Sequence, residues 1–328
     1  MALRIGIIGA GFIGNVHARN LMADERVKIS SVNDIVGSKA ELLAQLTGAR
    51  VHPSLEAMLA SGVEAIYICV PNALHAQFAL PILQAGIHVF SEKPMATSLD
   101  DARQIVAAAR TAKSLYQVGH NRRFASVYKF AKSILANGFR PVAAFAKHNR
   151  GELKNPVWTG DPKISGGFLY ETPIHLFDMM RWLMGDIVAV QCLARQSFYN
   201  EQDSFSVLFS FSDHRHATFT AVAHTTWAFP YERIELYSDH ALIATEEMEK
   251  VTYAPGLGQD MVTYDYSQLP MPQKWGYVEE DHLFVDSILG GKPPAVAAED
   301  GFKSVEIAEA IYRSARMDGE KVLLPLST

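Results

Sequence analysis

The sequence predicts an α/β protein of two domains, a doubly wound parallel sheet over residues 1–123 and an α+β domain with an antiparallel sheet over 124–328. Three observations carry this reading. At 328 residues the chain is longer than one core uses, domains being roughly 100 to 200 residues long. Up to about residue 121, short apolar runs alternate with segments of helical period. Beyond residue 137 the dominant period changes to two.

The first-half strands are, in order, LRIGIIG, VKISSVND, AIYICVP, GIHVFSE and LYQVGHN. These apolar runs lack polar alternation, so each is covered on both faces, as crossover helices cover a parallel sheet. HARNLMA, SKAELLAQL, ALHAQFALPILQAG and SLDDARQIVAAARTA supply those helices. A further helix is predicted over 125–137. DSFSVLFSFSD, RHATFTAVAHTT and YERIELYSDHALIATEE then alternate apolar with polar residues, which suits antiparallel strands with one covered face. Helices over 279–289 and 298–317 close the chain. With no internal repeat or low-complexity linker, the domains are expected to pack closely, with a small ligand in the cleft between them.

A net charge of -5 with mixed signs argues against nucleic acid or an anionic membrane as partner. No apolar stretch is long enough to span a bilayer, and the N-terminus enters a strand without a signal-peptide pattern, so a cytoplasmic protein is expected. Cys69 and Cys192 lie far apart inside apolar runs, which predicts buried thiols rather than a disulfide or a metal site. His214, His216 and His224 fit a strand face and no metal set.

Gly9-Ala10-Gly11-Phe12-Ile13-Gly14 follows the first strand and opens a helix. Gly9 suits a tight turn, Gly11 the approach of a pyrophosphate, and Gly14 close helix–strand packing. Asp34 stands twenty positions after Gly14 at the end of the second strand, where a carboxylate accepts both adenosine ribose hydroxyls. The same carboxylate repels a 2′-phosphate, so NAD is expected over NADP, with Ser38 and Lys39 close enough to soften the preference. SEKPMAT begins at the end of the run GIHVFSE, and ligands of such sheets lie beyond the carboxyl ends of the strands. Lys93 is therefore expected beside the nicotinamide, although a surface lysine paired with Glu92 is the common alternative.

The glycine loop, Pro71-Asn72 with His75, Glu92-Lys93-Pro94, and a later GG segment carrying His175 together resemble the glucose-fructose oxidoreductase/inositol dehydrogenase/MocA family over essentially the whole chain. The resemblance implies a Rossmann domain and NAD(P)-dependent hydride transfer on sugars, cyclitols or related polyols. It also implies a large open sheet in the second domain that assembles a homodimer or homotetramer. It assigns Gly9, Gly11, Phe12, Ile13, Gly14, Asp34, Pro71, Asn72, His75, Glu92 and Lys93 to the cofactor. Lys93, Glu171 and His175 are assigned to catalysis, with Asn121, Arg122 and Trp158 beside the substrate.

In the family an Asp usually precedes the helix histidine by four positions, and Glu171 here is longer by one methylene. Pro173 suits only a first helical turn, so the helix is expected to start near Thr172, with Glu171 just outside it. His175 is expected to take the alcohol proton, a neighbouring carboxylate fixing its tautomer, while Lys93 stabilises the alkoxide. Asp178 also matches a family position, Lys163 is a weaker substrate candidate, and Asn121, Arg122 and Arg123 suit a solvated basic turn equally well. The open alternatives are a dinucleotide-binding regulator of the same fold and an NADP-dependent reductase of a non-sugar substrate. Retention of Lys93, Glu171 and His175 favours an enzyme. The apolar residues of DSFSVLFSFSD and RHATFTAVAHTT are further expected to make the second face of the sheet an assembly surface.

Overall fold

A computed structural model describes residues 2–227 and 230–327, and the chain divides into two compact units. The first comprises residues 1–121 and 277–302, the second 122–276 and 303–328. The division expected at 123/124 therefore omits a return: residues 277–302 belong with the first unit.

In the first unit, β1 (Leu3–Ile8), α1 (Phe12–Met22), β2 (Val27–Asn33), α2 (Gly37–Thr47), β3 (Arg50–Val51) and α3 (Leu55–Leu59) precede β4 (Ala65–Ile68). Then come α4 (His75–Gln84), β5 (His88–Glu92), α5 (Leu99–Thr111) and β6 (Tyr116–Gly119). The six strands form one parallel sheet in the order β3-β2-β1-β4-β5-β6. The order turns away on either side of β1, so the carboxyl ends of β1 and β4 flank the switch point where such sheets bind ligands. β1 and β4 are buried almost throughout, as their unalternating sequences require. Ile5, Ile7, Val32, Tyr67 and Phe90 form the core with Ala18, Leu21 and Leu43 from the helices. Phe284 and Val285 of the returning segment complete that core.

The second unit starts with α6 (Ser126–Ala136), β7 (Ala143–His148), α7 (Pro162–Ser165), α8 (Phe168–Glu171) and α9 (Ile174–Met184). β8 (Ile187–Arg195), β9 (Ser204–Phe211), β10 (His216–Val222), β11 (Glu232–Tyr237), β12 (Leu242–Glu246), β13 (Lys250–Ala254) and β14 (Val262–Asp265) follow. After α10 (Met271–Lys274) come the returning α11 (Tyr277–Gly290), then α12 (Ala298–Arg316) and β15 (Val322–Leu323). The nine strands run in the order β14-β13-β12-β11-β7-β10-β9-β8-β15, antiparallel except for β7 beside β10.

Alternation sorts β9 and β10 by face. Phe205, Val207, Phe209, Phe211 and Phe219 are buried, and Phe177 of α9 meets Phe209 and Phe219 at ring distances of 6.2 and 5.3 Å. The opposite face carries Ser206, Leu208, Ser210, His216 and Thr218. The expectation of an apolar second face is thus corrected. Most apolar residues of those two segments lie on the covered side, leaving Leu208 and Val222 among mainly small polar groups on the other.

Cys69 and Cys192 are buried free thiols. Among the described residues no helix is long and apolar enough to cross a membrane.

Candidate active site

The loop after β1 has the shape a dinucleotide phosphate needs. Gly9 has φ of +95°, and a Cβ there would lie 2.2 Å from the Cys69 carbonyl oxygen. A Cβ on Gly14 would lie 2.0 Å from the Gly9 carbonyl oxygen, so both positions exclude any side chain. Gly11 differs: nothing lies within 4 Å of its added Cβ. It is also the N-cap of α1 and provides no side-chain cap, so the first amides of the helix lack that partner, as an anion site requires.

Asp34 closes this loop from the end of β2. Its Oδ2 accepts the Ala10 N–H at 2.6 Å and its Oδ1 the Val36 N–H at 2.7 Å. Each carboxylate oxygen has a second lone pair, so Asp34 shapes the loop and can still receive two ribose hydroxyls. Asn15 adds bonds from Nδ2 to the Ala10 and Gly11 carbonyls. Phe12 and Ile35 expose apolar surface beside the loop, at 73% and 100%, while Ile13 packs against the core. An open glycine, a bare helix start and an acid at the ribose position fit NAD.

The turn after β5 is braced from beneath. The Lys93 N–H donates to Glu92 Oε2 at 3.1 Å, and Lys93 itself is half-buried. Glu92 is buried, which alone would raise its pKa. The hydrogen bond and charge of His17, then the charge of Lys93, reverse that and hold the carboxyl below its usual range. Pro71 is half-buried and Asn72 is buried, both in the turn between β4 and α4. His75 is wholly buried, with Nδ1 2.5 Å from the Pro94 carbonyl oxygen and Nε2 2.8 Å from that of Val70. Burial draws this ring below its ordinary value, so it is neutral and donates to one of the two carbonyls. The structure makes His75 a strut between the β4 and β5 turns. Asn121, also buried, ends the first of the unit's two segments.

In the second unit the predicted residues join charged partners that the sequence did not announce. Arg122, 5% exposed, directs Nε and Nη2 to Glu232 Oε2 at 3.3 and 3.1 Å, and Nη1 to His175 Nε2 at 3.0 Å. A guanidinium only donates, so Nε2 accepts and the ring proton of His175 resides on Nδ1. Tyr128 donates to the other oxygen of Glu232, and the His148 ring lies parallel to that of His175 at 6.5 Å. Burial would raise the Glu232 pKa, but the charges of Arg122 and His148 outweigh it and hold the group down. Arg122 also lies 5.7 Å from the Trp275 ring centre.

Glu171 ends α8 and pairs with Arg150, whose Nη1 also donates to Thr172 Oγ1 at 2.9 Å. Two further Arg150 bonds, to the carbonyls of Glu152 and Asn155, fix the guanidinium. The bond between Glu171 and the His175 ring that was expected to set its tautomer has a counterpart in Arg122, which acts on Nε2. Arg123 and Asp178 form a bidentate pair at 2.7 and 2.5 Å, so this arginine is a structural tie of α9. Trp158 is half-buried in a 3-10 turn (Val157–Gly160), and Lys163 is exposed in α7.

Arg150, His148 and Glu232 were not singled out from sequence. His148 ends a strand, Glu232 starts one and Arg150 lies in the loop after β7, and only burial beside a partner elsewhere in the chain marks each of them.

Comparison with known proteins extends the likeness over both units. The profile of the oxidoreductase family with an NAD-binding Rossmann fold matches residues 3–120, and that of its C-terminal alpha/beta domain matches residues 121–324. Inositol 2-dehydrogenase of Rhizobium meliloti strain 1021 is 26% identical over 328 residues, covering 96% of this chain and 97% of its own. The crystal structure of GenD2 from gentamicin A biosynthesis, in complex with NAD, superposes with a TM-score of 0.86 at 27% identity, covering 99% of this chain and 97% of that one. Levoglucosan dehydrogenase in complex with NADH and levoglucosan gives 0.91 at 19% identity over 99% of this chain and 100% of its own, a likeness of fold. With both its domains matched and an NAD-fitted loop in the first, the chain belongs to the Gfo/Idh/MocA family of NAD-binding oxidoreductases.

Proposed function

We propose that this dehydrogenase transfers hydride between NAD and a secondary hydroxyl of an uncharged polyol, a cyclitol or a sugar. The observation that carries the substrate class is charge matching around His175: Arg122 faces Glu232, Arg123 faces Asp178, and Arg150 faces Glu171. Each buried arginine has its carboxylate, which suits a ligand of hydroxyl groups rather than a sugar acid or phosphate. The names of the relatives, an inositol and a levoglucosan dehydrogenase, agree with that class.

When bound, the nicotinamide supplies the hydride acceptor. Lys93 is the group from the first unit that serves the reacting oxygen: its neutral amine takes the hydroxyl proton as the C–H bond breaks, and the ammonium so formed is the positive charge beside that oxygen in the transition state. Because Arg122 holds His175 Nε2 as an acceptor, the ring has no second vacant nitrogen for a proton. This favours Lys93 as proton acceptor, with His175 held by Arg122 as part of the wall that orients the substrate. Glu171, with Arg150, is assigned to orienting further hydroxyls, and Asn121 and Trp158 remain candidates for substrate contact. Assembly as a homodimer or homotetramer through the nine-stranded sheet is part of the proposal, on the strength of the family resemblance, and light scattering measures it.

The test is a panel containing myo-inositol, scyllo-inositol, levoglucosan and common hexoses, with uronic acids as charged controls, each incubated with NAD and with NADP. Reduced nicotinamide is expected with NAD and one or more neutral polyols, NADP being slower because Asp34 repels the 2′-phosphate. Turnover restricted to the charged controls, or none at all, would sink the substrate class.

A further inference from the structure

The strongest unexplained cluster lies behind Glu92. His17, on α1, is wholly buried, with Nδ1 2.7 Å from Asp281 Oδ1 and Nε2 3.0 Å from Glu92 Oε1. Asp281, also wholly buried, arrives on the returning α11 and accepts a second bond from Asn20 Nδ2 at 2.9 Å. Two carboxylates bring both lone pairs and negative charge to the two ring nitrogens, so this imidazole holds both ring protons, unlike His75, whose carbonyl partners carry no charge to offset its burial. The ring is sealed by Tyr67, Phe90 and Tyr277, with centroids 5.3, 5.0 and 5.7 Å away. Gly119 leaves room for the carboxylate: a Cβ there would approach Glu92 Oε1 to 3.3 Å. A charged ring of this kind is costly to bury and is retained only where its partners hold it in place. Here one partner is part of the Glu-Lys-Pro turn.

We propose that His17 is a positioning residue for hydride transfer: a buried imidazolium, anchored by Asp281, that grips one oxygen of Glu92 while the other oxygen takes the Lys93 N–H, so fixing the strand end from which Lys93 projects. Three segments distant in sequence thereby set one side chain. The proposal rests on the assignment of Lys93 to the reaction.

Charge explains why both partners are needed. Glu92, His17 and Asp281 together carry one net negative charge. His17→Gln leaves two carboxylates without their cation, which threatens folding. Asp281→Asn keeps the shape and releases the anchor. The double variant restores the original net charge with an amide in place of the ring.

In the full-length protein, nitrogen NMR of the histidine rings reads the first step, with the His17 signal identified by its loss in the double variant. Both ring nitrogens of His17 are expected to carry protons about two pH units above the ordinary histidine value, and in Asp281→Asn the ring should titrate below that point. The second step is read by trace acetylation, with Lys93 measured against exposed Lys39 and Lys113. Its relative rate should change about threefold or more in Asp281→Asn. With a polyol substrate, kcat should fall about tenfold or more while NADH affinity stays within about threefold. A neutral His17 ring in the unmodified protein overturns the proposal. So do unchanged Lys93 acetylation in Asp281→Asn and a loss of kcat that merely follows the folded fraction. If no polyol is turned over, the function assigned above fails, while the NMR and acetylation results still decide the role of His17.

Discussion

Lys93 and His175 are unequal partners at the level of single side chains. Loss of the Lys93 charge removes an interaction made chiefly in the transition state, so Lys93→Ala should lower kcat about a hundredfold or more with NADH affinity little changed. Steady-state kinetics beside a fluorescence titration of NADH separates the two. Arg122 carries a different burden, since Glu232 is fully buried and relies on it. Arg122→Met should cost about 3–5 kcal/mol, the usual penalty for orphaning a buried charge, and chemical denaturation reads it. Glu92 and Lys93 could be singled out from sequence because the Glu-Lys-Pro motif is local and rare, and His175 because it follows a GG segment at a family spacing. Glu232 was not, because YERIE reads as any acid at a strand start, and its partner Arg122 lies 110 positions away.

Among the elements, the glycine loop offers a test that separates folding from binding. Gly14→Ala forces a Cβ to 2.0 Å from a backbone oxygen that cannot move cheaply, so it should lower the melting temperature and NAD affinity together. Gly11→Ala meets open space, so thermal melting should hardly change while NAD affinity falls about tenfold or more, the methyl standing where the pyrophosphate approaches. Calorimetry on both variants checks the pair. Strands and helices of the first half were readable because burial on both faces leaves an unmistakable apolar run. The start of α9 was less so. The helix was expected from about Thr172, whereas Glu171 closes α8 and α9 begins at Ile174 with Pro173 as its cap. Proline has no N–H to continue the preceding turn, so the chain ends one helix and starts another. The polar face of β9 and β10 was misread for a simpler reason: composition was weighed without sorting the alternation by face.

On the scale of the whole molecule, the buried ionisable groups set a pH window. Burial pulls the His17 pKa down, but the charge and hydrogen bond of Asp281, then those of Glu92, outweigh it and push the value up to about 10. Between about 6.5 and 10 the folded protein holds a proton that the unfolded chain releases. This contribution is therefore complete below about pH 6.5 and declines by at most about 1.4 kcal/mol per pH unit until it is lost above about 10. On the acid side Glu92, held low, loses its contribution as it protonates, and neutral His75 resists the charge that the unfolded chain accepts. Denaturation at a series of pH values should show the alkaline decline, and Asp281→Asn should flatten it. Neither the network nor the true unit boundary was visible along the sequence, since α11 reads only as one more amphipathic helix.

That helix makes the first unit discontinuous along the chain, with residues 122–276 of the second unit interrupting it. Residues 277–302 complete the first unit only after the whole stretch 122–276 has been synthesised. A ribosome that has released the six strands of the parallel sheet has still not supplied Phe284, Val285 or Asp281. Burying two such apolar side chains contributes about 3–6 kcal/mol, a large share of a domain's net stability of about 5–15 kcal/mol. A fragment of residues 1–123 should therefore remain unfolded by circular dichroism and amide exchange, whereas 1–121 joined by a short linker to 277–302 should fold and bind NADH. An engineer exchanging substrate domains within this architecture needs cuts at 121/122, 276/277 and 302/303, because a single splice strands the anchor of His17 on the wrong parent.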